Sequence, residues 1–479
     1  MSTLSPDFYA DWRARQLAHG IFQETGPEET PSETFLHQVW NHQRLLRDQI
    51  ATFDGQPVRV LHPGFWNHES GPDFLRAVIQ IGDETPRTGD VEIDLHPSNW
   101  HSHGHDRNPA FCGVVLHVVW SGTAPSKAAI PTVALRSKLD AAISDLRTWL
   151  GSEASLLPDP VRGQCCAPLR QLQGEPLALL LRQAAQTRLE SKAARFEARA
   201  RQVGWDQALW EGIFIALGYK HNVWPMQRLA EIACALQSAA KQPVGPLAWQ
   251  ARLLGLGGLL PADIALNPGS SRSGFLRGLW DCWWREREAL AHLILPKDLW
   301  RLNGLRPANH PARRLALAAH WLAQPDLIPR LESWLVEDPP PRRLVSSLAA
   351  VVSVEPDPFW RWHWTLRSPK LVRAQPFLGS HRLTDLAVNV LLPWLWVRAR
   401  LGHNPQLQTK AADRYFAWPR SEDNALLRLA RRRLFGGGSV KTTRAADQQA
   451  LLQIIRDFCQ HSNALCDNCQ FPRLVQSLA

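Results

Sequence analysis

Residues 89–96 read Gly89-Asp90-Val91-Glu92-Ile93-Asp94-Leu95-His96, and this stretch decides the fold of the N-terminal part of the chain. Apolar and polar residues alternate in it, which predicts a β-strand with its apolar side chains on a buried face. Glu92, Asp94 and His96 then point to the opposite face. Carboxylates crowded on one surface repel each other unless a cation or a proton lies between them. The stretch therefore predicts a divalent-metal site or a carboxyl group with a strongly shifted pKa.

The sequence on both sides of this stretch predicts an α+β fold. Apolar residues recur on one face of residues 33–50, which predicts a helix, and the histidine-rich residues 97–110 predict a short helix or a loop. Apolar, β-branched runs between turn formers predict strands at 57–61, 74–81, 90–96, 113–120 and 129–135. The core order is therefore a helix, three strands, a crossing segment and a further strand.

The remainder of the chain has a different character. From about residue 170 the pattern becomes that of long helices with arginine-rich faces, separated by prolines that mark helix ends. A chain of 479 residues is also too long for one compact core. We predict an α/β domain at 1–140, a linker at 141–170, and a basic α-helical domain at 171–479 that ends in a cysteine cluster.

Acidic and basic residues are segregated along the chain. Residues 1–125 contain 8 Arg and no Lys against 16 Asp and Glu, a net charge of −8; because the total is +10, residues 126–479 carry +18. Clustered Lys and Arg bind phosphates, so this segregation predicts a nucleic-acid partner, with an ordinary basic surface as the alternative. Neither a signal peptide nor an apolar run of the ~20 residues that a membrane span needs is present in the sequence. We expect a cytoplasmic protein with no membrane partner.

Asp73 and Glu92 are the strongest candidates for catalytic chemistry. Phosphodiester hydrolysis needs an activated water and a stabilised leaving oxygen, and carboxylate-bound divalent metals supply both. Pro72-Asp73 precedes one predicted strand, and Glu92-x-Asp94 lies on the next. The alternative is a purely structural role, in which Asp73 forms a turn that caps a strand and Glu92 and Asp94 lie on a solvated edge face.

This pattern resembles the Pro-Asp…(Asp/Glu)-x-Lys motif of the restriction-endonuclease-like phosphodiesterases, whose core has a similar order of elements. The resemblance implies a restriction-endonuclease-like α/β core in which Asp73, Glu92 and Asp94 bind Mg²⁺ or Mn²⁺. Asp94 stands where that superfamily usually carries lysine, and His96 and His117 are the candidate substitutes for proton transfer. Asn67, in the preceding turn, is a candidate for substrate binding.

The histidines at 101–105 allow a second interpretation. His103 and His105, with Asp106 beside them, are ligands of the kind that a zinc hydrolase uses. Alternate residues of a strand would not converge on one ion, but a loop would allow them to do so. A histidine-based zinc hydrolase of a small substrate therefore stands as an alternative function.

The cysteines at the C-terminal end form a further candidate metal site. Cys459, Cys466 and Cys469 lie within eleven residues, directly after a predicted amphipathic helix. Three thiolates and a fourth ligand hold zinc or an iron–sulfur cluster. His461 is the local candidate for the fourth ligand, and Cys166 or Cys165 is the preferred one because it would tie the chain end to the first domain. Unligated thiols are the alternative.

Over nearly its full length the chain resembles an uncharacterised bacterial family, domain of unknown function 2851. The resemblance lies in Gly71-Pro72-Asp73-Phe74, Gly89-Asp90-Val91-Glu92-Ile93 and His103-Gly104-His105, with further similarity at Leu217–Asn222 and Arg306–Pro311. The family implies no activity, and its members usually show His at the position of Asp94. The acidic residues, together with their resemblance to the restriction-endonuclease-like phosphodiesterases, predict a metal-dependent nuclease acting on DNA or RNA. The main alternative is a non-catalytic protein with a degenerate nuclease fold that binds nucleic acid or a protein.

Overall fold

The chain forms two compact units, one of which is built from both ends of the sequence. The computed structural model describes residues 7–21, 31–67, 71–123, 130–140, 143, 146, 165–172, 174–239, 242–261, 271–302, 304–355, 357–436, 442–459 and 469–478. Unit 1 comprises Met1–Leu172 and Ile454–Ala479, and unit 2 comprises Gln173–Gln453. The segment from Ile454 onward, assigned above to the helical domain, thus groups with the N-terminal unit.

Unit 1 is organised around one mixed sheet. Its strands are β1 (Val58–His62), β2 (Phe65–Trp66), β3 (Phe74–Ile81), β4 (Arg87–Asp94), β5 (Val114–Val119) and β6 (Thr132–Ala134). The strand order is β1-β3-β4-β5-β6, and β2 also pairs with β3. The β1/β3 and β3/β4 pairs are antiparallel, whereas β4/β5 and β5/β6 are parallel. The parallel pair β4/β5 requires the crossing segment between them.

Three helices precede or interrupt the sheet: α1 (Phe8–Ile21), α2 (Glu33–Asn41) and α3 (Asn99–Ser102). Helix α2 begins at the N-cap Ser32, whose hydroxyl accepts a hydrogen bond from the backbone N–H of Phe35, as capping serines commonly do. Its apolar face is buried, and α2 packs against β4 and β2. The charged start of α2 is thereby brought to the face of β4 that carries the acidic residues.

The C-terminal segment completes unit 1. The phenol of Tyr9 in α1 donates a 3.0 Å hydrogen bond to buried Asp457, and Arg13 pairs with the same carboxylate at 3.1 Å. A short helix at Cys166–Gln171 packs against another at Phe471–Gln476. Both ends of the chain therefore contribute to one core.

The regular secondary structure of unit 2 in its described residues is helical, with connecting segments and one isolated β-bridge between Pro419 and Arg444. Its α-helices are Glu175–Val203, Trp205–Gly218, Val223–Ala239, Pro246–Leu256, Ser271–Leu290, Pro311–Leu322, Leu327–Val336, Leu344–Val352, Ser380–Leu386, Leu392–Leu401, Pro405–Ala417, Ala425–Phe435 and Ala445–Ile454, the last ending at the unit boundary. Tryptophans occupy much of the core, including Trp249, Trp321 and Trp394. The described helices include none with the length and apolar character that crossing a bilayer requires.

The predicted α+β class is confirmed, with two local differences that matter for the site. Helix α2 ends at Asn41 instead of continuing to residue 50, because Gln43 adopts a left-handed φ of 49° and Leu45 pairs with Leu139 in a β-bridge. Strand β4 spans residues 87–94 and ends at Asp94, two residues before the predicted end. His96 therefore lies beyond the strand.

Candidate active site and metal centre

Two of the three acidic residues of β4, Glu92 and Asp94, are buried, whereas Asp90 is half-buried. Glu92 is 6% exposed and Asp94 is 2% exposed, although alternation alone would place them on a solvated face. Val91 and Ile93 are buried on the opposite side, so β4 is covered on both faces. Glu92 pairs in register with His117 of β5. Burial of two carboxylates on one strand requires partners that compensate their charge.

Asp73 is held beside Glu92 by two crossed hydrogen bonds. The backbone N–H of Asp73 donates to Glu92 Oε2 at 3.1 Å, and the backbone N–H of Ile93 donates to Asp73 Oδ2 at 3.0 Å. His37 Nε2 of α2 lies 3.1 Å from the same Asp73 oxygen. The start of β3, the middle of β4 and the first turns of α2 therefore meet at one point.

Three histidines surround Asp94. His117 Nε2 lies 3.0 Å from Asp94 Oδ2, and His103 Nδ1 lies 3.2 Å from Asp94 Oδ1. His105 Nε2 is 4.0 Å from Asp94 Oδ2 and 3.3 Å from Glu92 Oε1. One ligand atom from each of Asp94, His103 and His105 lies within 4.8 Å of the other two. Among the described residues, these are the His, Cys, Asp and Glu side chains that form a group of three or more with ligand atoms close enough to hold one metal ion.

A glycine allows the two loop histidines to converge. Gly104 separates His103 from His105 and adopts a left-handed φ of 74°, a conformation that side-chain-bearing residues rarely take. It joins the end of α3 to a short 3-10 turn at His105–Arg107. The alternate histidines can thus approach the same carboxylate, which they could not do in an extended strand.

Aromatic rings fix the orientation of two of the imidazoles. The Trp100 ring centroid lies 5.4 Å from that of His105 and 5.2 Å from that of His117. The Phe111 ring lies 4.1 Å from His105. Imidazoles packed in this way present their ring nitrogens in a defined direction, which is the preorganisation that a ligand set needs.

Electrostatic repulsion is concentrated on Glu92. Burial, followed by repulsion from Asp73, raises the pKa of Glu92 from 4.5 to about 9. Burial and the nearby Asp94 raise the pKa of Glu33, which is half-buried at the start of α2. Burial lowers the pKa of His105, so its imidazole is neutral at neutral pH and available as a ligand. Four carboxyl groups therefore share a region that favours cations.

The remaining candidate residues lie apart from this centre or at its edge. His96 is exposed, and its Nδ1 lies 2.8 Å from the hydroxyl of Ser98. Asp106 faces His101, with 3.3 Å between Asp106 Oδ2 and His101 Nδ1, and not the pair His103 and His105. Asn67 donates its side-chain amide to the carbonyl of Pro72 at 3.0 Å, which braces the turn before Asp73.

The cysteine site stays a prediction. Cys166 and Cys459 are buried, Cys469 is half-buried, and its thiol faces the carbonyl of Phe458 at 3.7 Å. Cys466 lies outside the described residues. The short helices that follow Cys165 and Cys469 pack together, so both ends of the proposed ligand set belong to unit 1.

His37 belongs to the site but is absent from the sequence-based candidates. Its signal is its spacing from Glu33: residues four apart in a helix lie on the same face. Both approach the carboxylates, since Glu33 is in electrostatic range of Asp94 and Asp73, and His37 contacts Asp73 directly. Glu33 and His37 could have been predicted as site residues from the sequence, because they are a carboxylate and an imidazole one turn apart at the start of a helix.

The fold and the site define an α+β protein with a buried centre of carboxylates and imidazoles on one face of a mixed sheet. A family model described as "Protein of unknown function (DUF2851)" matches residues 33–424, and the chain belongs to this family. The match begins at Glu33, the first residue of α2. No curated protein and no solved structure matches the chain.

Proposed function

We propose that the protein is a metal-dependent phosphodiesterase of nuclease type that acts on DNA or RNA, with Mg²⁺ or Mn²⁺ bound by Asp73 and Glu92. The observation that carries this proposal is the crossed pair of hydrogen bonds that holds these two carboxylates side by side, one directly before β3 and the other within β4. Carboxylates so placed share a divalent cation in enzymes that hydrolyse phosphodiesters.

The connectivity of the sheet supports the proposal. Helix α2 is followed by the antiparallel strands β1, β3 and β4, then by the crossing segment and the parallel strand β5. This order resembles the core of the restriction-endonuclease-like superfamily, whose acidic residues stand at the start of the second core strand and within the third. Asp73 directly precedes β3, and Glu92 lies within β4.

The residues around Asp73 and Glu92 fit a cation. A buried carboxyl whose pKa is about 9 carries a proton at neutral pH unless a positive charge replaces it. When bound, the metal would supply an activated water and would stabilise the charge on the leaving oxygen. Glu33 adds negative charge from α2, and His37 orients the Asp73 carboxylate.

The charge distribution supports a polyanionic substrate. Residues 126–479 carry a net charge of +18, which favours binding of the phosphate backbone. Residues 1–125 carry −8, so the phosphate at the reacting centre needs bound cations to offset repulsion from the carboxylates. A metal requirement for cleavage follows from this separation of charge.

The test is cleavage of labelled single- and double-stranded DNA and RNA in Mg²⁺ or Mn²⁺. We expect Asp73→Asn and Glu92→Gln to reduce cleavage by more than ~100-fold, because each removes a metal ligand. Asp83→Asn, in the exposed turn between β3 and β4, is the matched control and should cleave as the wild type does. A wild type that cleaves nothing, or variants that cleave as well as it does, would exclude this function.

A further inference from the structure

Asp94 stands where the restriction-endonuclease-like superfamily carries lysine, and histidines converge on it. We propose that Asp94, His103 and His105 form a second metal centre, separate from the Asp73/Glu92 pair, which takes a zinc-type divalent transition-metal ion. The bound ion supplies the positive charge that lysine supplies elsewhere. Only this catalytic role rests on the proposed function; binding of the ion does not.

The spacing of the ligand atoms suits an ion of this size. Ligand atoms about 2.1 Å from a tetrahedral ion lie roughly 3.4 Å from each other. His103 Nδ1 is 3.2 Å from Asp94 Oδ1, and His105 Nε2 is 4.0 Å from Asp94 Oδ2. All three ligand atoms fall within 4.8 Å of one another. Small rotations of the imidazoles would bring the set onto one ion.

The donor chemistry separates this centre from the Asp73/Glu92 pair. Two imidazole nitrogens and a carboxylate oxygen suit zinc, iron and other borderline metals, whereas Mg²⁺ prefers oxygen ligands. Glu92 lies between the two centres: its Oε2 accepts the hydrogen bond from Asp73, and its Oε1 faces His105 at 3.3 Å. The same glutamate is therefore positioned to serve both ions.

The nitrogen of His105 is an unsatisfied ligand. His105 Nε2 is buried and has no hydrogen-bond partner of acceptable angle among the described residues, although Glu92 Oε1 is close. A buried ring nitrogen without a partner loses the hydrogen bond that water would give it. An ion between His105 and the two carboxylates of β4 would satisfy it.

The surroundings prepare the ligands and leave an entrance. His117 holds Asp94 Oδ2 at 3.0 Å, which leaves Oδ1 facing His103. Such support of ligating side chains by a second layer of contacts commonly raises metal affinity 10–100-fold. The His103 side chain is 48% exposed, so an ion can reach the centre from solvent.

Binding is tested with metal-free protein titrated with Co²⁺ and followed by visible absorption, then by competition with Zn²⁺. We expect the Co²⁺ that binds at this centre to give ligand-field bands but no thiolate-to-cobalt charge transfer, which separates this centre from any cysteine site. His103→Ala and His105→Gln should weaken this binding by ~100-fold or more, because each removes a ligand. His101→Ala, in the neighbouring helix α3 and paired with Asp106, should bind as the wild type does.

The proposal is overturned if His103→Ala and His105→Gln bind Co²⁺ as tightly as the wild type, or if His101→Ala weakens it equally. Circular dichroism of each variant verifies folding, and exposed His103 is the safer of the two ligand substitutions. If Co²⁺ binds as expected but no nucleic acid is cleaved, the proposed function fails and the metal centre stands. If the wild type cleaves nucleic acid but binds no Co²⁺ at this centre, the proposed function stands and the second metal centre is excluded.

Discussion

Replacement of Glu92 by glutamine should stabilise the metal-free protein, although it removes a residue of the active site. Glu92 is 6% exposed and is held beside Asp73, and its pKa is raised from 4.5 to about 9. In the absence of metal the folded state therefore keeps a proton on Glu92 at neutral pH, whereas the unfolded chain releases it. Glutamine has the same shape but never ionises. Folding of Glu92→Gln therefore requires no proton uptake at this position, and the variant avoids the free-energy cost of that uptake.

The magnitude and sign follow from proton linkage. Because the folded pKa lies above the unfolded pKa, the contribution of Glu92 to stability is fully present below pH 4.5 and is lost as the pH rises towards about 9. One pH unit corresponds to ~1.36 kcal/mol for one proton, so the 2.5 units from pH 4.5 to pH 7 correspond to at most about 3.4 kcal/mol. Because the site can relax, we expect the free energy of unfolding of Glu92→Gln to exceed that of the wild type at pH 7 by about 1–3 kcal/mol.

The assay is native-state hydrogen exchange of the β3, β4 and β5 amides in EDTA, corrected for intrinsic rates at pH 5, 6, 7 and 8. It reports the opening of unit 1 alone. The free energy of opening of Glu92→Gln should exceed that of the wild type only slightly at pH 5 and by progressively more towards pH 8. Saturating Mn²⁺ should make the wild type more stable than Glu92→Gln, because the cation stabilises ionised Glu92. A ligand present at 100 times its Kd contributes ~2.7 kcal/mol to stability. A difference that is independent of pH, or a glutamine variant that is less stable at pH 8 in EDTA, would refute the reasoning.

Three further predictions follow from the same structure. Mn²⁺ binding at pH 7 should release about one proton from the wild type and none from Glu92→Gln, measured by calorimetry in buffers of different ionisation enthalpy; equal release would contradict the raised pKa. Gly104→Ala should cost roughly 1 kcal/mol and weaken Co²⁺ binding, because of its left-handed φ, whereas Gly274→Ala, at an exposed position within a helix, should cost nothing. Arg313→Met should destabilise unit 2 by about 3–5 kcal/mol in thermal unfolding, because the buried guanidinium donates to the carbonyls of Trp360, His363, Gln375 and Pro376; exposed Arg306→Met is its control.

The sheet is predictable from sequence because its signals are local. Alternation in β4 and turn formers between β3 and β4 specify two antiparallel strands, and Pro72-Asp73 marks where β3 begins. The juxtaposition of Asp73 and Glu92 follows from that hairpin once its register is known, with Phe74 opposite Val91.

Features that depend on distant contacts are not predictable in this way. The helix predicted over 33–50 ends early because Leu45 pairs with Leu139, almost a hundred residues away. The Ile454–Ala479 segment joins the N-terminal unit through contacts such as Tyr9 with Asp457, which no sequence periodicity reveals. The partnership of Asp94 with His103 depends on the left-handed turn at Gly104, where the glycine is visible in the sequence but its conformation is not.

Metal rescue of a sulfur-substituted substrate tests the central claim most directly. An oligonucleotide with phosphorothioate linkages binds Mg²⁺ poorly through sulfur, whereas Mn²⁺ and Cd²⁺ accept sulfur more readily. If the carboxylate-bound ion contacts the scissile phosphate, the wild type should cleave the normal substrate with Mg²⁺, cleave the sulfur-substituted one much more slowly, and recover its rate with Mn²⁺ or Cd²⁺. No cleavage of either substrate with any of these metals, or cleavage that survives in EDTA, would contradict the account.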